Sequence, residues 1–381
     1  MPTVAVNALI LREPFAGVAY SIYRSMCAVA ETQQDRNFVF FVPRSFKRQF
    51  PDFDNVTRKK SLFVGGKSAS SRVIYEQLIM PFTFPRFNAD YAHFPAWVAP
   101  KMFYLPFVVT VHDLIPFFYP AFCKKSTVRH FKSSVPHTVE RAERIVVPSQ
   151  YVKNTLLDKF DQVDDENVSV VPFAPAHEPC PISRSAAQGL LAEKYGIKGD
   201  FLLYVGNIEP KKNLTLLLKA FFAARIRRSL PLKLVIVGRK AWKTGEFDRA
   251  VIGHDMEDML IMPGYVPEGD VPCFYKAAKA FCFPSIVEGF GLPVIEAMQE
   301  GCPCLLSDIP VFHETAGSAA TYLPLTDLSA WREAIENVAN SKTTAAQREM
   351  LQKQAARFSW KRTADELGDV YSSLERQLEL D

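Results

Sequence analysis

Short runs of β-branched and aromatic residues alternate with helix-spaced apolar stretches through both halves of this sequence, an order that points to parallel sheets wound by helices. Residues 4–11, 38–42, 107–111, 201–206, 233–237, 259–265 and 304–308 read as strands. Residues 17–31, 214–224, 270–280 and 363–378 read as helices. The run FVVTV at 107–111 lacks polar alternation, as a strand buried on both faces requires. A chain of 381 residues is too long for one ordinary core, so two domains of about 150–200 residues each are expected. Pro175, Pro179 and Pro181 mark a linker between them. The expected division is residues 1–178, residues 179–358 and a closing helical segment, 359–381.

Charge and cysteine usage narrow the class further. The formal net charge of +4 is too small to imply a nucleic-acid partner. No apolar run reaches the roughly 18 residues that a membrane span needs. The opening MPTVAVNALIL lacks a basic leading segment and reads as a first strand, not a signal peptide. Seven cysteines without a CxxC pair point to free thiols in a reducing compartment; the cytoplasm is the expected location. Cys302 and Cys304 read as buried thiols, not metal ligands. Between residues 44 and 72, Arg44, Lys47, Arg48, Arg58, Lys59, Lys60, Lys67 and Arg72 stand against Asp52 and Asp54 alone. That run is either a solvated face or a peripheral contact with the inner membrane surface.

The densest chemical signal is FCFPSIVEGFGLPVIE at 281–296. A strand end, a turn at Pro284 and Ser285, and a Gly289–Phe290–Gly291 loop lead into a helix that opens near Pro293, where a missing N–H costs nothing. The glycines admit close approach of a ligand to the backbone. A helix N-terminus after such a turn is an anion site, because free N–H groups and the helix dipole point outward together. Glu288 and Glu296 flank the loop, which suits a ligand with hydroxyls at both ends: a ribose on one side and a sugar on the other. The same string also fits a buried strand, turn and helix with both glutamates in solvent.

EGFGLPVIE resembles the E-x7-E motif of retaining glycosyltransferases of family 4, which have the GT-B fold. The resemblance implies an α/β protein of two Rossmann-like domains, with parallel sheets facing across a central cleft and the last helix bracing the first domain. NIEPKKN at 207–213 is similar to the family's EPRKN, which implies that Lys212 grips the donor diphosphate; two lysines ahead of a helix also make sense if a diphosphate supplies the negative charge. Asn207 stands where many relatives carry an arginine. VHDLIP at 111–116 resembles the family's VHDL, which implies that His112 faces the donor sugar and diphosphate, with Asp113 capping or orienting it. GYVP at 264–267 resembles the segment that meets the nucleotide base, hence Val266. Gly17 stands for the family's glycine-rich turn, and Arg239 follows a strand glycine. Glu314–Gly317 resembles a helix start, and His93 reads as structural or acceptor-side.

The catalytic set so implied is Glu288, His112 and Lys212. The donor-binding set is Gly17, Asn207, Lys212, Arg239, Val266, Glu288, Gly289, Phe290, Gly291, Leu292 and Glu296. No DxD follows a strand, since Asp52, Phe53 and Asp54 lie in a basic loop, so neither a metal nor another cofactor is expected. The implied activity is retaining hexose transfer from a nucleoside-diphosphate sugar to a glycan or lipid-linked acceptor in surface polysaccharide synthesis. GDP-mannose is the first donor expected, with UDP-glucose and dTDP-rhamnose as alternatives. A non-catalytic nucleotide-sugar-binding scaffold is the competing reading, suggested by Asn207.

Overall fold

The structure, a computed structural model, describes residues 1–380 apart from 14, 16, 49, 52, 62, 66–68, 229–230 and 252–258. Two compact units divide the chain: residues 1–176 together with 358–381, and residues 177–357. Among the described residues no helix is long and apolar enough to cross a membrane.

The N-terminal unit is built on β1 (Thr3–Asn7), β2 (Asn37–Val42), β3 (Val56–Lys60), β4 (Tyr91–Phe94), β5 (Phe107–Thr110), β6 (Arg144–Val147) and β7 (Val168–Val170). They form one parallel sheet in the order β3-β2-β1-β4-β5-β6-β7. Strands β4 and β5 are buried throughout, as an apolar run in a helix-covered sheet must be. One apolar cluster holds Ala5, Phe41, Phe84, Phe94 and Val109. A second holds Val4, Val6, Ile22, Met26 and Phe40.

The closing helix, Trp360–Gln377, belongs to this second cluster through Ala364, Leu367, Val370, Tyr371 and Leu374. Ser359 caps it by accepting from the Arg362 N–H. Its start is pinned by Trp360 Nε1, which donates to Pro175 O at 2.9 Å, and by Thr363 Oγ1, which donates to Pro172 O at 2.7 Å. His93 ties the helix to the sheet, with Nδ1 2.7 Å from the Tyr371 hydroxyl and Nε2 2.9 Å from Thr110 Oγ1. Both ring nitrogens are therefore engaged in packing, and of its two expected roles His93 has the structural one.

The C-terminal unit carries β8 (Phe201–Val205), β9 (Lys233–Val237), β10 (Leu260–Gly264), β11 (Ala280–Phe283), β12 (Cys304–Ser307) and β13 (Thr321–Leu323). This sheet too is parallel, ordered β10-β9-β8-β11-β12-β13. The chain winds outward from β8 to β10, then returns to place β11 beside β8. Ligands of open α/β sheets bind at such a reversal, outside the carboxyl ends of the strands. Cys302 and Cys304 are buried.

One expectation needs correction, and two details are new. Residues 56–60 of the basic run form strand β3, although VTRKK has no apolar face; an edge strand with one neighbour tolerates that. Lys67 and Asp52 of the same run lie outside the described residues. Glu314–Gly317 is a helix end: the helix runs Pro310–Ala316 and stops at Gly317, whose φ is 53°. Lys211 and Lys212 stand ahead of the long helix, as the sequence places them. They occupy a separate 3-10 turn, Pro210–Lys212, which the left-handed Asn213 (φ 52°) divides from the helix Leu214–Arg228.

Candidate functional site

Two loops leave the adjacent strands β8 and β11, and the sequence builds each of them around glycine. After β8 comes Gly206, after β9 Gly238, and these two backbones touch: a Cβ at Gly238 (φ 146°) would lie 1.9 Å from Gly206 O. No side chain fits there. Main-chain bonds lace the loops together, with Gly206 N donating to Val237 O, Ile208 N to Arg239 O and Gly238 N to Gly264 O. The Tyr204 hydroxyl donates to Asn207 O at 2.9 Å and holds the turn from below. Asn213 Nδ2 donates to Leu325 O, which fixes the end of the lysine turn.

Ile286 N donates to Lys211 O at 2.8 Å, joining the β11 loop to the lysine turn. This link brings Lys212 and Glu288 together as a hydrogen-bonded ion pair. The side chains are only 12% and 11% exposed, so neither charge is solvated and each depends on the other. Burial alone would raise the Glu288 carboxyl, but Lys212 and Lys211 outweigh it and hold it below the usual range. Burial draws the Lys212 ammonium down, with Glu288 opposing. Lys212 Nζ also lies 4.8 Å from the centre of the Phe283 ring.

Beyond Glu288 the chain passes Gly289 and the buried Phe290 to Gly291, the N-cap of the helix Leu292–Gln299. Gly291 has φ 97°, and a Cβ there would stand 2.9 Å from the Phe312 ring, so the turn requires glycine. Glu296 lies in the helix itself, buried, and accepts from the Tyr275 hydroxyl at 2.8 Å. Tyr275, buried beside that carboxylate, has its phenol raised well above the usual value. The site thus offers a buried ammonium, a helix N-terminus and two carboxylates, a set that can answer a diphosphate and hydrogen-bond hydroxyls on either side of it.

The remaining expected donor residues of this unit line the neighbouring loops. Asn207 is exposed after β8, Arg239 is exposed after β9 with its guanidinium carbon 4.5 Å from the Tyr265 ring centre, and Val266 is buried after β10.

In the N-terminal unit His112 follows β5 and is buried. Its Nε2 is 2.7 Å from Pro95 O. A carbonyl only accepts, so that nitrogen carries the proton and Nδ1 keeps a lone pair. Burial pulls the imidazole down to about 4 although the Pro95 bond opposes this, and the ring is neutral at pH 7. It stacks on Phe173 at 5.4 Å, with Trp97 at 4.8 Å. Asp113 Oδ1 accepts from Ile115 N at 3.0 Å, a local turn contact ahead of the short helix Ile115–Phe118. Gly17 opens the helix Gly17–Thr32 with no heavy atom within 4 Å of where a Cβ would stand.

Sequence reasoning missed Tyr204, Tyr275 and Asn213, the residues that hold this loop geometry. Asn213 carried a signal, since asparagine before a helix tolerates the left-handed region. The tyrosines carried none, because their partners are met only in the folded sheet.

A family model described as glycosyl transferases group 1 matches residues 191–358, and one described as glycosyltransferase family 4 matches residues 24–173. The sequence is similar to O-antigen chain mannosyltransferase B of Escherichia coli, at 25% identity over 393 residues that cover 96% of this chain and 98% of the relative. It is similar to O-antigen chain mannosyltransferase RfbU of Salmonella typhimurium at 30% identity over 231 residues, 60% of each chain. The fold is like that of a sucrose-phosphate synthase from Thermosynechococcus elongatus, with TM-score 0.75 at 15% identity, covering 99% of this chain and 100% of that one.

Proposed function

We propose a specific reaction for this chain, which belongs to the GT-B glycosyltransferases: it moves a hexose from a nucleoside-diphosphate sugar to a glycan or lipid-linked acceptor, with retention, in surface polysaccharide synthesis. GDP-mannose is the donor we assign first, on the names of its relatives. The carrying observation is the Lys212–Glu288 pair beside the Gly291 turn, at the reversal of the second sheet.

Breaking the bond from C1 to the phosphate oxygen places negative charge on the departing diphosphate and positive character on the sugar ring. Lys212, Arg239 and the N–H groups at the start of Leu292–Gln299 stabilise the first, an arrangement set before reaction begins. Glu296 accepts from the ribose hydroxyls and Glu288 from the sugar. His112 offers its unprotonated Nδ1 to a sugar hydroxyl. The acceptor oxygen forms its bond to C1 on the face that the phosphate leaves, and its proton passes to the departing phosphate oxygen. No covalent sugar–protein ester and no metal enters this scheme.

The chain acts in the cytoplasm and touches the anionic inner membrane surface peripherally. Ile74, Leu78 and Phe82, spaced four apart, are 57%, 66% and 61% exposed. Basic Arg58 and Lys60 are exposed on β3, and each such side chain near an anionic surface adds about 1 kcal/mol.

A panel of nucleotide sugars tests the reading by thermal shift and product analysis. Ligand at 100 times its Kd adds about 2.7 kcal/mol of stability, and the strongest responder names the base. An α-linked product from an α-linked donor, formed equally with and without EDTA, is expected. Inverted product, a glycosyl ester trapped on Glu288, or activity lost to EDTA and restored by magnesium would each overturn that part of the scheme. No response to any nucleotide would leave the scaffold reading in its place.

A further inference from the structure

We infer that Cys180 and Cys273 are a redox pair, which a hydroperoxide joins as a disulfide that locks the first residues of the C-terminal unit to the helix Val271–Ala277. The two buried sulfurs stand 3.3 Å apart. That is inside the roughly 3.5–4.0 Å of ordinary carbon contacts, although sulfur is the larger atom. About 1 Å of further approach completes a disulfide bond of about 2.05 Å. Two other buried thiols face carbonyls instead, Cys302 Sγ at 3.8 Å from Pro303 O and Cys304 Sγ at 3.3 Å from Cys302 O.

Both thiols of the pair ride on backbone that proline restricts. Cys180 lies between Pro179 and Pro181, and Cys273 follows Pro272 in the first turn of its helix. One buried carboxylate holds the two segments together. Glu300 Oε1 accepts from Cys180 N at 2.6 Å, and Glu300 Oε2 lies 3.3 Å from Nζ of Lys276, one turn beyond Cys273. Gln299 Nε2 donates to His177 O at 3.0 Å, and Arg184 Nη2 donates to Ala277 O and Ala278 O at 3.3 and 3.2 Å. The segment is docked on either side of Cys180, so bonds that do not involve the sulfurs keep them in contact.

Cys180 attacks the peroxide first. The O–O bond breaks, one oxygen stays on sulfur as S–OH, and the other leaves as water with the thiol proton. The Cys273 sulfur then attacks the Cys180 sulfur, and the hydroxyl leaves as a second water with the Cys273 proton. Two thiols are oxidised and one peroxide is reduced. Burial, and after it Cys180, push the Cys273 thiol up to about 12. That suits it to second place, since it needs an activated sulfur beside it. The two cysteines are 93 residues apart, and a closed loop that long strongly restricts the unfolded chain.

The test treats the full folded chain with hydrogen peroxide, without denaturant, and then blocks the remaining thiols. Peptide mapping without reductant should give Cys180 joined to Cys273, two hydrogens lighter than the separate peptides. The Tm should rise by about 5–15 °C and fall back with dithiothreitol. Cys180→Ala and Cys273→Ala should each abolish the joined peptides and the rise, whereas Cys27→Ala, in the other unit, should keep both. The wild-type map decides alone if either variant fails to fold. Sulfinic acid at Cys180 beside an unreacted Cys273, two unreacted thiols, or joining through other cysteines overturns the inference. Joined peptides with an unchanged or lower Tm overturn the lock.

Discussion

Lys212 and Glu288 meet across two loops that follow different strands, and the pair is almost closed to water at 12% and 11% side-chain exposure. An ammonium has three donors and a carboxylate about four lone-pair positions. One contact joins the two, so Lys212 retains donors for a diphosphate while Glu288 retains acceptor positions for a sugar hydroxyl.

Substitution Lys212→Ala should therefore have two consequences. Glu288 is left as a buried charge without its cation, which costs about 3 kcal/mol in the C-terminal unit. Nucleoside diphosphates should weaken about ten- to hundredfold relative to the bare nucleoside, as loss of a charge-assisted hydrogen bond implies. Calorimetric titration of both ligands gives the ratio. An unchanged ratio would move the phosphate site elsewhere.

Glu288→Gln should lower turnover about a hundredfold or more while nucleotide affinity changes little, because the residue addresses the sugar. Equal losses in turnover and affinity would mean that the role is misassigned. The pH dependence has a definite sign. The Glu288 carboxyl is held below its unfolded value of about 4.3, so its ionised form stabilises the fold above that pH. The advantage disappears as pH falls through the lower folded value. Urea melts of wild type and variant should thus differ at pH 7 and converge in acid.

The two buried histidines shift the other way. Burial holds His112 down to about 4, and burial with His112 holds His93 down to about 3. Unfolded imidazole titrates near about 6.5. Between these values the unfolded chain carries protons that the folded N-terminal unit does not, so stability rises with pH there and is lost on acidification. Each histidine contributes about 1.4 kcal/mol per pH unit. His112→Gln, whose amide can still donate to Pro95 O, should reduce proton uptake on unfolding at pH 5.5 by about one. An unchanged uptake would show that His112 is charged in the fold.

Strands β5, β8 and β9 and the Gly291 turn were legible in the sequence, because each states its requirement locally: an uninterrupted apolar run, or a backbone position that excludes Cβ. Strand β3 was not, since VTRKK draws its place from pairing with β2 rather than from a buried face. Arg72 was read as one member of a basic run that is either a solvated face or a membrane contact, yet it pairs with Glu76 on its own helix. What holds Glu76 in place is tertiary, the bond from Asn7 across 69 residues, as is the contact of Tyr275 with Glu296 across 21 residues.

The clearest such tertiary feature is the clamp on the closing helix. Arg36 donates from Nε to Glu375 Oε1 at 2.8 Å and from Nη2 to Oε2 at 2.6 Å, while the Tyr91 hydroxyl donates to Oε1 at 2.6 Å and Arg36 Nη2 also reaches Ser372 Oγ at 2.7 Å. The Arg36 and Glu375 side chains are 4% and 9% exposed. Removing Glu375 leaves the buried Arg36 with only the exposed Asp35 as its anion, so Glu375→Ala should cost about 3 kcal/mol and release Trp360–Gln377 to limited proteolysis. Replacing both, as Arg36→Met with Glu375→Leu, should recover most of that loss, because the desolvated charges disappear together. Recovery in the double variant separates a stranded charge from a simple loss of packing. If the double variant melts as low as Glu375→Ala, the cost lies in shape and the clamp is not electrostatic.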